Sequence, residues 1–525
     1  MKPTHKLSIY LIKKGYKSFR DCLRKNPELK LKLYKLKPHL KLNGEIYLAE
    51  TQTNELRWQE LLQQGASKTI PALNNSSNRA LLLLKVEGRI FACCFGYGQY
   101  LLNQSVIERN FGLRTAVNSV EPDKLRSIDK AKLGELTVQA RIQSSVITDR
   151  GSFDIDVIGD LLRSITGESI DSTLGGTITG TDAVYLSPKV EFADIPEIMK
   201  KLKKSYGMKR YRANFDWIDN LQYEKNPSLI EDLNEALVDA LKKKDNMNVS
   251  ISPPFIMDWT SFSGISFTPK GDLTDFEIDG YYDAKDMVNL SIEKLKSSSL
   301  YIENSGNANR VPISVMSCLN FQTEINRTFY VRSLGQWYRV SKTFSDKIYN
   351  EVKLIMESDS AFIDCESDWD EKKYNEELAK SNSNYSLFDR KLVRCEGAKN
   401  KVEACDVLTK SKELIHVKPK NHSSTLSHLF SQGKISAVAL NGDRGFRQDM
   451  REIIRSNKDF DVNVIPLEKV NNMDFTITYA TITKGDKGMI QQLPFFSIIN
   501  LRQSAQFLSQ HGFDVRIKKI KKKKS

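Results

Sequence analysis

The sequence predicts a mixed α/β (α+β) protein, and three observations support that class. Short apolar runs with two-residue alternation, such as 6–12 and 30–37, are typical of strands. Longer segments with apolar residues every three or four positions, such as 226–245, are typical of amphipathic helices. The two kinds of segment are interspersed along 525 residues, of which 40% are hydrophobic. A chain of this length and composition is expected to fold into several globular domains.

We expect three domains. They are an N-terminal α+β domain over 1–150 with a basic N-terminal segment, a central α+β domain over 151–360, and a C-terminal domain over 361–525 with a basic tail. The second boundary rests on the acidic, polar stretch 357–373. Its carboxylates lack the spacing and the central glycine of an EF-hand, so it is interpreted as a solvated linker.

In the first two domains, strands are predicted at 6–12 and 30–37, and two strands joined by an E-G-R turn are predicted within 76–98. Helices are predicted at 102–113, 122–128, 153–167, 191–207 and 226–245. The helix over 153–167 is expected to end at Gly167. The Gly/Thr-rich stretch 172–186 is interpreted as a turn between strands. A phosphate cradle remains the alternative there, although the stretch lacks the GK[ST] ending of a P-loop.

The net charge of +14 is concentrated at the two ends of the chain. Residues 1–42 carry 13 Lys and Arg against two acids, and residues 514–525 carry seven against one, so the remainder sums to −3. Basic ends of this kind contact phosphate groups without sequence preference. For the C-terminal run, a solvated and frayed tail is an equal alternative. In the turn FGYGQY (95–100), Tyr97 and Tyr100 are either exposed for base stacking or part of the core.

The cysteines and the hydropathy pattern bear on location. The seven cysteines are scattered and form no CxxC pair, which indicates a reduced, cytoplasmic setting and disfavours a zinc ribbon. No apolar run approaches the ~20 residues that a membrane-spanning helix needs, so we expect no membrane partner.

The C-terminal domain has an informative order of predicted elements. A helix at 368–381 precedes a strand at 386–395 and two hairpin arms at 401–409 and 413–420, and a helix at 423–433 precedes a strand at 435–440. The order is helix, three strands, helix, strand. With an aspartate in the middle strand and a lysine ending the third, it resembles the PD-(D/E)xK nuclease fold. The C-terminal domain is therefore expected to be a restriction-endonuclease-like α/β unit.

Four residues are candidates for the catalytic site. Asp406 supplies the hard oxygen ligand that a divalent metal such as Mg²⁺ or Mn²⁺ prefers, and it is the predicted metal ligand. Lys418 is expected to orient water or to offset charge on the phosphate. His416 replaces the acidic residue two positions before the lysine and is a candidate ligand or general base. The resemblance also implies a glutamate from the preceding helix, Glu377 or Glu376.

A basic surface is expected around these candidates. Residues predicted to contact nucleic acid are Lys420, Ser423, Ser424, Arg444, Arg447, Lys518, Lys519 and Lys522. Ser423 and Ser424 begin a predicted helix, whose free N-terminal amides attract anions. The structural alternative is that Asp406 lies near a turn, that His416 is packed in a strand, and that the lysines face solvent.

Six stretches together resemble a bacterial "sporadically distributed" family of unknown function: 95–102, 107–129, 141–145, 153–167, 403–437 and 493–513. The resemblance covers most of the chain. It implies an association with defence islands and a role in phage defence or genome conflict. It also implies that Lys418 of I-H-V-K and the helix after it are family features, so that His416 is one as well.

The sequence therefore predicts a nucleic-acid-binding phage-defence protein that is a nuclease cleaving phosphodiester bonds, with DNA favoured over RNA. Two alternatives stay open. One is a non-catalytic nucleic-acid sensor or scaffold that uses the same pocket, and the other is an interaction protein that forms a homo-oligomer.

Overall fold

The computed structural model describes residues 2–25, 30–55, 62–69, 71, 74–132, 138–257, 259–304, 310–394, 401–457 and 460–524. Two compact units are present. Unit 1 comprises Met1–Ala131 and Gln139–Ile218, and unit 2 comprises Lys132–Val138 and Asp219–Ser525. The predicted boundary at 150/151 falls inside unit 1, and that at 360/361 falls inside unit 2. Each unit combines sheets with helices, which confirms the mixed α+β class.

Unit 1 is built on one ten-stranded sheet. Its strands are β1 (Leu7–Leu11), β2 (Leu31–Lys35), β3 (Gly44–Glu55), β4 (Asn74–Val86), β5 (Arg89–Gly96), β6 (Val120–Lys132), β7 (Val138–Thr148), β8 (Asp160–Ser169), β9 (Thr177–Gly180) and β10 (Val184–Leu186). Its helices are α1 (Phe111–Ser119), α2 (Ile195–Gly207) and α3 (Arg212–Phe215). The strand order is β2-β3-β4-β5-β1-β10-β9-β8-β6-β7.

Both faces of this sheet are covered by apolar clusters, because successive side chains of a strand point to opposite sides. In β1, Ile9 belongs to the cluster that includes Phe111 of α1, whereas its neighbour Tyr10 belongs to the cluster that includes Tyr47 and Leu101. The helices therefore cover one face, and the loops around Leu101 cover the other.

The first part of unit 2 holds two antiparallel sheets. Its strands are β11 (Leu221–Tyr223), β12 (Val249–Ile251), β13 (Phe262–Ser266), β14 (Ser299–Asn304), β15 (Val311–Ser314), β16 (Leu319–Ile325), β17 (Thr328–Ser333), β18 (Gln336–Val340) and β19 (Met356–Glu357). Its helices are α4 (Pro227–Lys242), α5 (Ile278–Ala284), α6 (Ile292–Ser297), α7 (Val315–Cys318) and α8 (Lys342–Val352). The sheet orders are β11-β18-β17-β16-β12 and β13-β14-β15.

The C-terminal part of unit 2 is organised by a six-stranded mixed sheet. Besides β19, this sheet contains β20 (Tyr385–Leu387), β23 (Val407–Thr409), β24 (Glu413–Pro419), β25 (Thr476–Thr483) and β26 (Asp514–Lys521), whereas β21 (Leu392–Arg394) and β22 (Lys401–Glu403) form a separate two-stranded sheet. The helices of this part are α9 (Glu371–Lys380), α10 (Ser423–Gly442), α11 (Arg444–Arg455), α12 (Met489–Gln492) and α13 (Phe495–Gln510). The order of the six-stranded sheet is β19-β26-β25-β24-β23-β20, with β24, β25 and β26 mutually parallel.

Both faces of the six-stranded sheet are buried, as is usual for parallel strands. Tyr374 and Leu378 of α9 pack on the face that carries Val417 and Ala480. On the other face, the hydroxyl of Tyr479 in β25 donates to a carbonyl of α10 at 3.1 Å. Among the described helices, none is long and apolar enough to cross a membrane.

Two predicted helices of unit 1 are wrong. The segment 122–128 lies within β6, and most of 153–167 lies in β8, which begins at Asp160. In β8, Ile165 and Gly167 pair with Gly180 and Ile178 of β9. On its other side β8 lies next to β6, which comes earlier in the chain. Pairing with strands on both sides outweighs the local helical periodicity, since β propensity depends on the partners that a strand meets.

The predicted helix at 423–433 is present but continues to Gly442 as α10, so the predicted strand at 435–440 is wrong. Gly433 does not end the helix. A Cβ built on Gly433 lies 2.5 Å from a ring carbon of Tyr479, so the glycine allows α10 to pack closely on β25. The next strand of the sheet is β25, some 40 residues further along.

The predicted basic tail is incorrect for residues 514–521, which form the inner strand β26. Ile517 and Ile520 are buried in the core of unit 2. The lysines of this segment therefore belong to a strand inside the sheet, and the backbone of β26 is hydrogen-bonded to β25.

We expect Ile520→Ala to destabilise unit 2 by about 2–4 kcal/mol, because it removes a fully buried side chain from between α9 and the sheet. Chemical denaturation measures the loss. Lys524→Ala, at an exposed position a few residues away, is the control and should stay within about 0.5 kcal/mol of the wild type. Equal effects of the two variants would show that β26 is not packed as described.

Candidate functional site

Asp406 lies between β22 and β23, and its backbone is hydrogen-bonded both to β24 and to the loop after β20. Its amide N–H donates to the carbonyl of Ile415 in β24 at 2.9 Å. Its own carbonyl accepts from the amides of Phe388 and Asp389 at 2.8 and 2.9 Å. The peptide of Asp406 therefore ties the loop after β20 to the hairpin of β23 and β24.

The hairpin places three of the predicted residues on one face of the sheet. Val407 pairs with Ile415 in antiparallel register, so Asp406 lies opposite His416. Lys418 is two residues beyond His416 and shares its face, because strand side chains repeat every two residues.

Glu371, the first residue of α9, forms an ion pair with Lys418. The preceding residue, Asp370, caps the helix by accepting a hydrogen bond from the amide of Lys373 at 2.8 Å. The Lys418 ammonium donates to a carboxylate oxygen of Glu371. Their side chains are 15% and 25% exposed, so this ion pair is partly shielded from solvent.

Three carboxylates converge beside Lys418. Glu371, Asp389 and Asp406 each offer an oxygen, and these oxygens all lie within 4.8 Å of one another. Glu403 adds a fourth negative charge nearby, and its side chain accepts hydrogen bonds from the Arg390 amide and from the Gln432 amide group. We call Glu371, Asp389, Asp406 and Lys418 the acidic pocket.

The acidic pocket contains three carboxylates and one ammonium group, and burial shifts the pKa values of several of them. Burial raises the pKa of Asp406 well above its usual range, although the charge of Lys418 opposes that shift. Burial also raises the pKa of Glu371, with Lys418 again opposing it and Asp389 adding repulsion. Burial lowers the pKa of Lys418, but its hydrogen bond to Glu371 and the charge of Asp406 prevail and raise the pKa above its usual value.

One oxygen of the pocket lacks a partner. The Oδ2 of Asp406 accepts from the amide of Val417 at 2.6 Å, whereas its Oδ1 is buried with no hydrogen-bond partner in the described part of the chain. Asp406 is only 2% exposed. A buried carboxylate oxygen without a donor is costly, and native proteins normally satisfy it with a donor or a cation.

His416 is packed rather than presented to the pocket opening. Burial, followed by the charge of Lys418, lowers the pKa of His416 to about 3, so its imidazole is neutral at neutral pH. Its ring lies 6.4 Å from that of Tyr479, and its Nε2 has no partner among the described residues. His416 is not one of the three residues whose ligand atoms converge.

Glu377, which the sequence predicts to assist catalysis, is not brought into the pocket. Its carboxylate accepts hydrogen bonds from Lys373 and Lys380, both at 3.0 Å, on the outer face of α9. The two lysines lower the pKa of Glu377. The glutamate that the helix contributes is Glu371, because it is the residue at the end of α9 that meets Lys418.

The two predicted nucleic-acid-binding arginines have structural partners. Arg444 pairs with Glu468 at 3.1 Å on the surface. The guanidinium of Arg447 is buried and donates to the carbonyls of Leu440, Asn441, Leu467 and Glu468. Arg447 therefore holds the end of α10 to the segment after α11 and does not face a ligand.

The three predicted lysines of the last strand differ in their surroundings. Lys518 donates to the carbonyl of Ser358 at 3.2 Å, and Lys522 donates to that of Trp369 at 3.0 Å. Lys519 is half-buried, and it lies in register with Thr481, which itself lies in register with Lys418. Among the three, Lys519 is the one that shares a sheet face with the acidic pocket.

The remaining predicted contacts lie at the start of α10. Lys420 is partly buried, and burial lowers its pKa. The backbone of Ser423 and Ser424 is helical, so α10 does begin where the sequence predicts, but their side chains lie outside the described residues.

The sequence prediction missed two of the three converging carboxylates. Glu371 is within the predicted helix 368–381, and the capping Asp370 before it signals that it lies in the first turn. Asp389 is within the predicted strand 386–395, which in the structure ends at Leu387. No local pattern distinguishes Asp389 from a turn aspartate, since its contact with Asp406 is made through the tertiary fold.

A family model with the description "Family of unknown function (DUF6119)" matches residues 7–521 of the chain. No curated protein matches the chain, and no solved structure does.

The pocket predicts an unusual dependence of stability on pH. Since the pKa of Asp406 is raised in the fold, the folded state binds more protons than the unfolded state, and stability should fall as pH rises from about 4 through that raised pKa. Asp406→Asn should remove this fall, so that without added metal the variant is more stable than the wild type at pH 8. Denaturation curves across pH measure both.

Glu377→Gln is the matched control for this prediction. The pKa of Glu377 is lowered in the fold, so its contribution has the opposite sign and is lost as pH falls. A wild-type profile that Asp406→Asn leaves unchanged would contradict the account of the pocket.

Proposed function

The chain belongs to the DUF6119 family of unknown function, and we propose that its C-terminal region is a metal-dependent nuclease that hydrolyses phosphodiester bonds. The observation that carries the proposal is the convergence of Glu371, Asp389 and Asp406 beside Lys418. Further support comes from the elements that present them, which are a helix, a hairpin and a parallel strand in a mixed sheet. This arrangement is similar to that of PD-(D/E)xK nucleases.

The residues of the pocket fit a hard divalent cation. Mg²⁺ and Mn²⁺ prefer carboxylate oxygens, and an octahedral ion with ligands at about 2.1 Å sets oxygen separations of about 3–4 Å. The observed separations of up to 4.8 Å need only a small contraction. The Oδ1 of Asp406 has no hydrogen-bond partner within the described residues, and burial raises the pKa values of Asp406 and Glu371. A cation bound there would give the oxygen a partner and would favour the charged form of both carboxylates.

In this proposal Glu371, Asp389 and Asp406 hold the cation. A divalent cation bound there supplies an activated water and polarises a phosphoryl oxygen. Lys418 acts as a cation and not as a base, because its raised pKa keeps the ammonium protonated at neutral pH. Its charge offsets the negative charge that develops on the phosphoryl group.

The proposal gives His416 a packing role. Its imidazole is buried and neutral, so in this proposal His416 is neither a ligand nor the general base. Asp389 supplies the third carboxylate that the D/E-x-K pattern lacks in this chain. The wider role in phage defence is part of the same proposal, since the resemblance of the sequence implies it.

A non-catalytic nucleic-acid sensor or scaffold is the second candidate function. The observation that favours it is the ion pair between Lys418 and Glu371, which holds both side chains against each other. If that pair persists when nucleic acid is bound, the pocket recognises phosphate without cleaving it.

We expect the purified protein to cleave DNA or RNA with Mg²⁺ or Mn²⁺ and not with EDTA. Asp406→Asn and Glu371→Gln should lower the cleavage rate at least ~100-fold, since each removes a metal ligand. Glu377→Gln, which alters the same helix outside the pocket, should retain wild-type cleavage. Gel assays on single- and double-stranded DNA and on RNA measure the rates. Cleavage that survives Asp406→Asn would exclude this site.

Cation binding itself gives a second measurement. Mn²⁺ at about 100 times its dissociation constant should stabilise the wild type by about 2.7 kcal/mol, because only the folded pocket binds it. The unfolding midpoint should rise by several degrees in the wild type and in Glu377→Gln, but not in Asp406→Asn. Stabilisation without cleavage would favour the sensor, whereas no stabilisation in the wild type would argue against a metal site.

A further inference from the structure

We propose that a separate surface of unit 1 binds single-stranded nucleic acid by combining exposed tyrosines with unpaired cations. The proposal rests on the proposed function in naming nucleic acid as the ligand. We call this region the basic aromatic surface. It consists of Lys14, Tyr16, Lys17, Arg20, Arg24, Lys25, Tyr97 and Tyr100.

Two segments that are distant in sequence form the basic aromatic surface. The amide of Lys13 donates to the carbonyl of Val106, and that of Asn103 donates to the carbonyl of Cys22, both at 2.8 Å. The amide of Arg24 donates to the carbonyl of Leu101 at 2.8 Å, one residue from Tyr100. The basic segment 13–25 is therefore held by its backbone alongside the turn that carries the tyrosines.

Tyr97 and Tyr100 form an exposed aromatic pair. Tyr97 is 53% exposed and Tyr100 is 51% exposed. The centroids of the two rings are 6.3 Å apart, and the angle between the ring planes is 28°. A tight turn presents them. Gly96 has a positive φ of 56°, and a Cβ on Gly98 lies 2.0 Å from the carbonyl oxygen of Ala80, so only glycine fits there. Large aromatic rings that a rigid turn holds in solvent are suited to stacking on unpaired bases.

The cations beside this pair lack acidic partners. Lys14, Lys17, Arg20, Arg24 and Lys25 are exposed, and none of them forms an ion pair within the described part of the chain. Elsewhere in unit 1, several lysines are neutralised by nearby carboxylates. Examples are Lys201 with Asp171 at 3.0 Å and Lys203 with Glu87 at 2.9 Å.

The combination favours a single strand over other anionic partners. Cations alone attract any polyanion, but a duplex hides the faces of its bases, whereas a single strand offers them to exposed rings. An anionic membrane satisfies the cations but does not require the stacked geometry of Tyr97 and Tyr100. The ring pair is therefore the feature that selects the ligand class.

Fluorescence anisotropy with the full-length chain in EDTA tests the proposal without cleavage. Labelled oligothymidylate, its RNA counterpart and a DNA duplex are the probes. We expect single strands to bind more tightly than the duplex. Tyr97→Ala/Tyr100→Ala should weaken single-strand binding roughly tenfold or more, and Lys17→Ala/Arg24→Ala should reduce the slope of log K against log salt by about 1.4.

Matched variants separate this role from general effects on folding or charge. Tyr34→Ala removes a tyrosine of similar exposure from the opposite face of the sheet, since the adjacent Leu33 pairs with Tyr47. It should leave binding unchanged, as should Lys204→Ala/Lys209→Ala, which alters exposed cations away from the surface. Unfolding midpoints confirm that each variant is folded.

Two outcomes overturn the proposal. One is single-strand binding that is unaffected by Tyr97→Ala/Tyr100→Ala. The other is binding only to vesicles of equal parts phosphatidylserine and phosphatidylcholine, which would identify a membrane surface. Cleavage assays report on the acidic pocket separately. Loss of binding in the tyrosine variant with the metal-induced stabilisation intact therefore concerns unit 1 alone, and loss of that stabilisation with binding intact concerns the pocket alone.

Discussion

A single ammonium group faces three carboxylates in the C-terminal part of unit 2, and the proposed chemistry depends on that imbalance. Lys418 is bound to Glu371 and lies near Asp406, whose Oδ1 has no donor within the described residues. Removing carboxylates from water costs free energy that one lysine only partly offsets. A protein keeps such an arrangement where the missing charge comes from a ligand, and perturbed carboxyl groups in a pocket are typical of functional sites.

The sheet holds the residues of the acidic pocket in place despite the repulsion between their carboxylates. Parallel strands β24, β25 and β26 are buried on both faces, so the pocket is anchored to a rigid core. Gly433 allows α10 to approach Tyr479, and the buried guanidinium of Arg447 secures the end of the same helix. The side chains that hold the scaffold are thus distinct from those that face the proposed ligand. Arg447, which the sequence predicts as a nucleic-acid contact, is one of these scaffold residues.

Charge is distributed differently in the two units. In unit 2, several of the basic side chains that the sequence predicts as phosphate contacts have partners within the protein, as Lys522 has in the carbonyl of Trp369 and Arg444 has in Glu468. In unit 1, Lys14, Lys17, Arg20, Arg24 and Lys25 form no ion pair within the described residues, and the segment that carries them lies beside an exposed tyrosine pair. The two proposals therefore assign different chemistry to the two units, which is stacking and charge in unit 1 and cation binding in unit 2.

The sequence by itself determined the α+β class, the hairpin that carries Asp406 and Lys418, and the start of α10, because these follow from local periodicity and from turn chemistry. Only the tertiary structure decided that Glu371 and Asp389, rather than Glu377, join Asp406. It also decided that segment 160–169 is a strand and that residues 514–521 are an inner strand. These outcomes depend on pairing and contacts between residues far apart in the chain, and a local pattern carries no record of such partners.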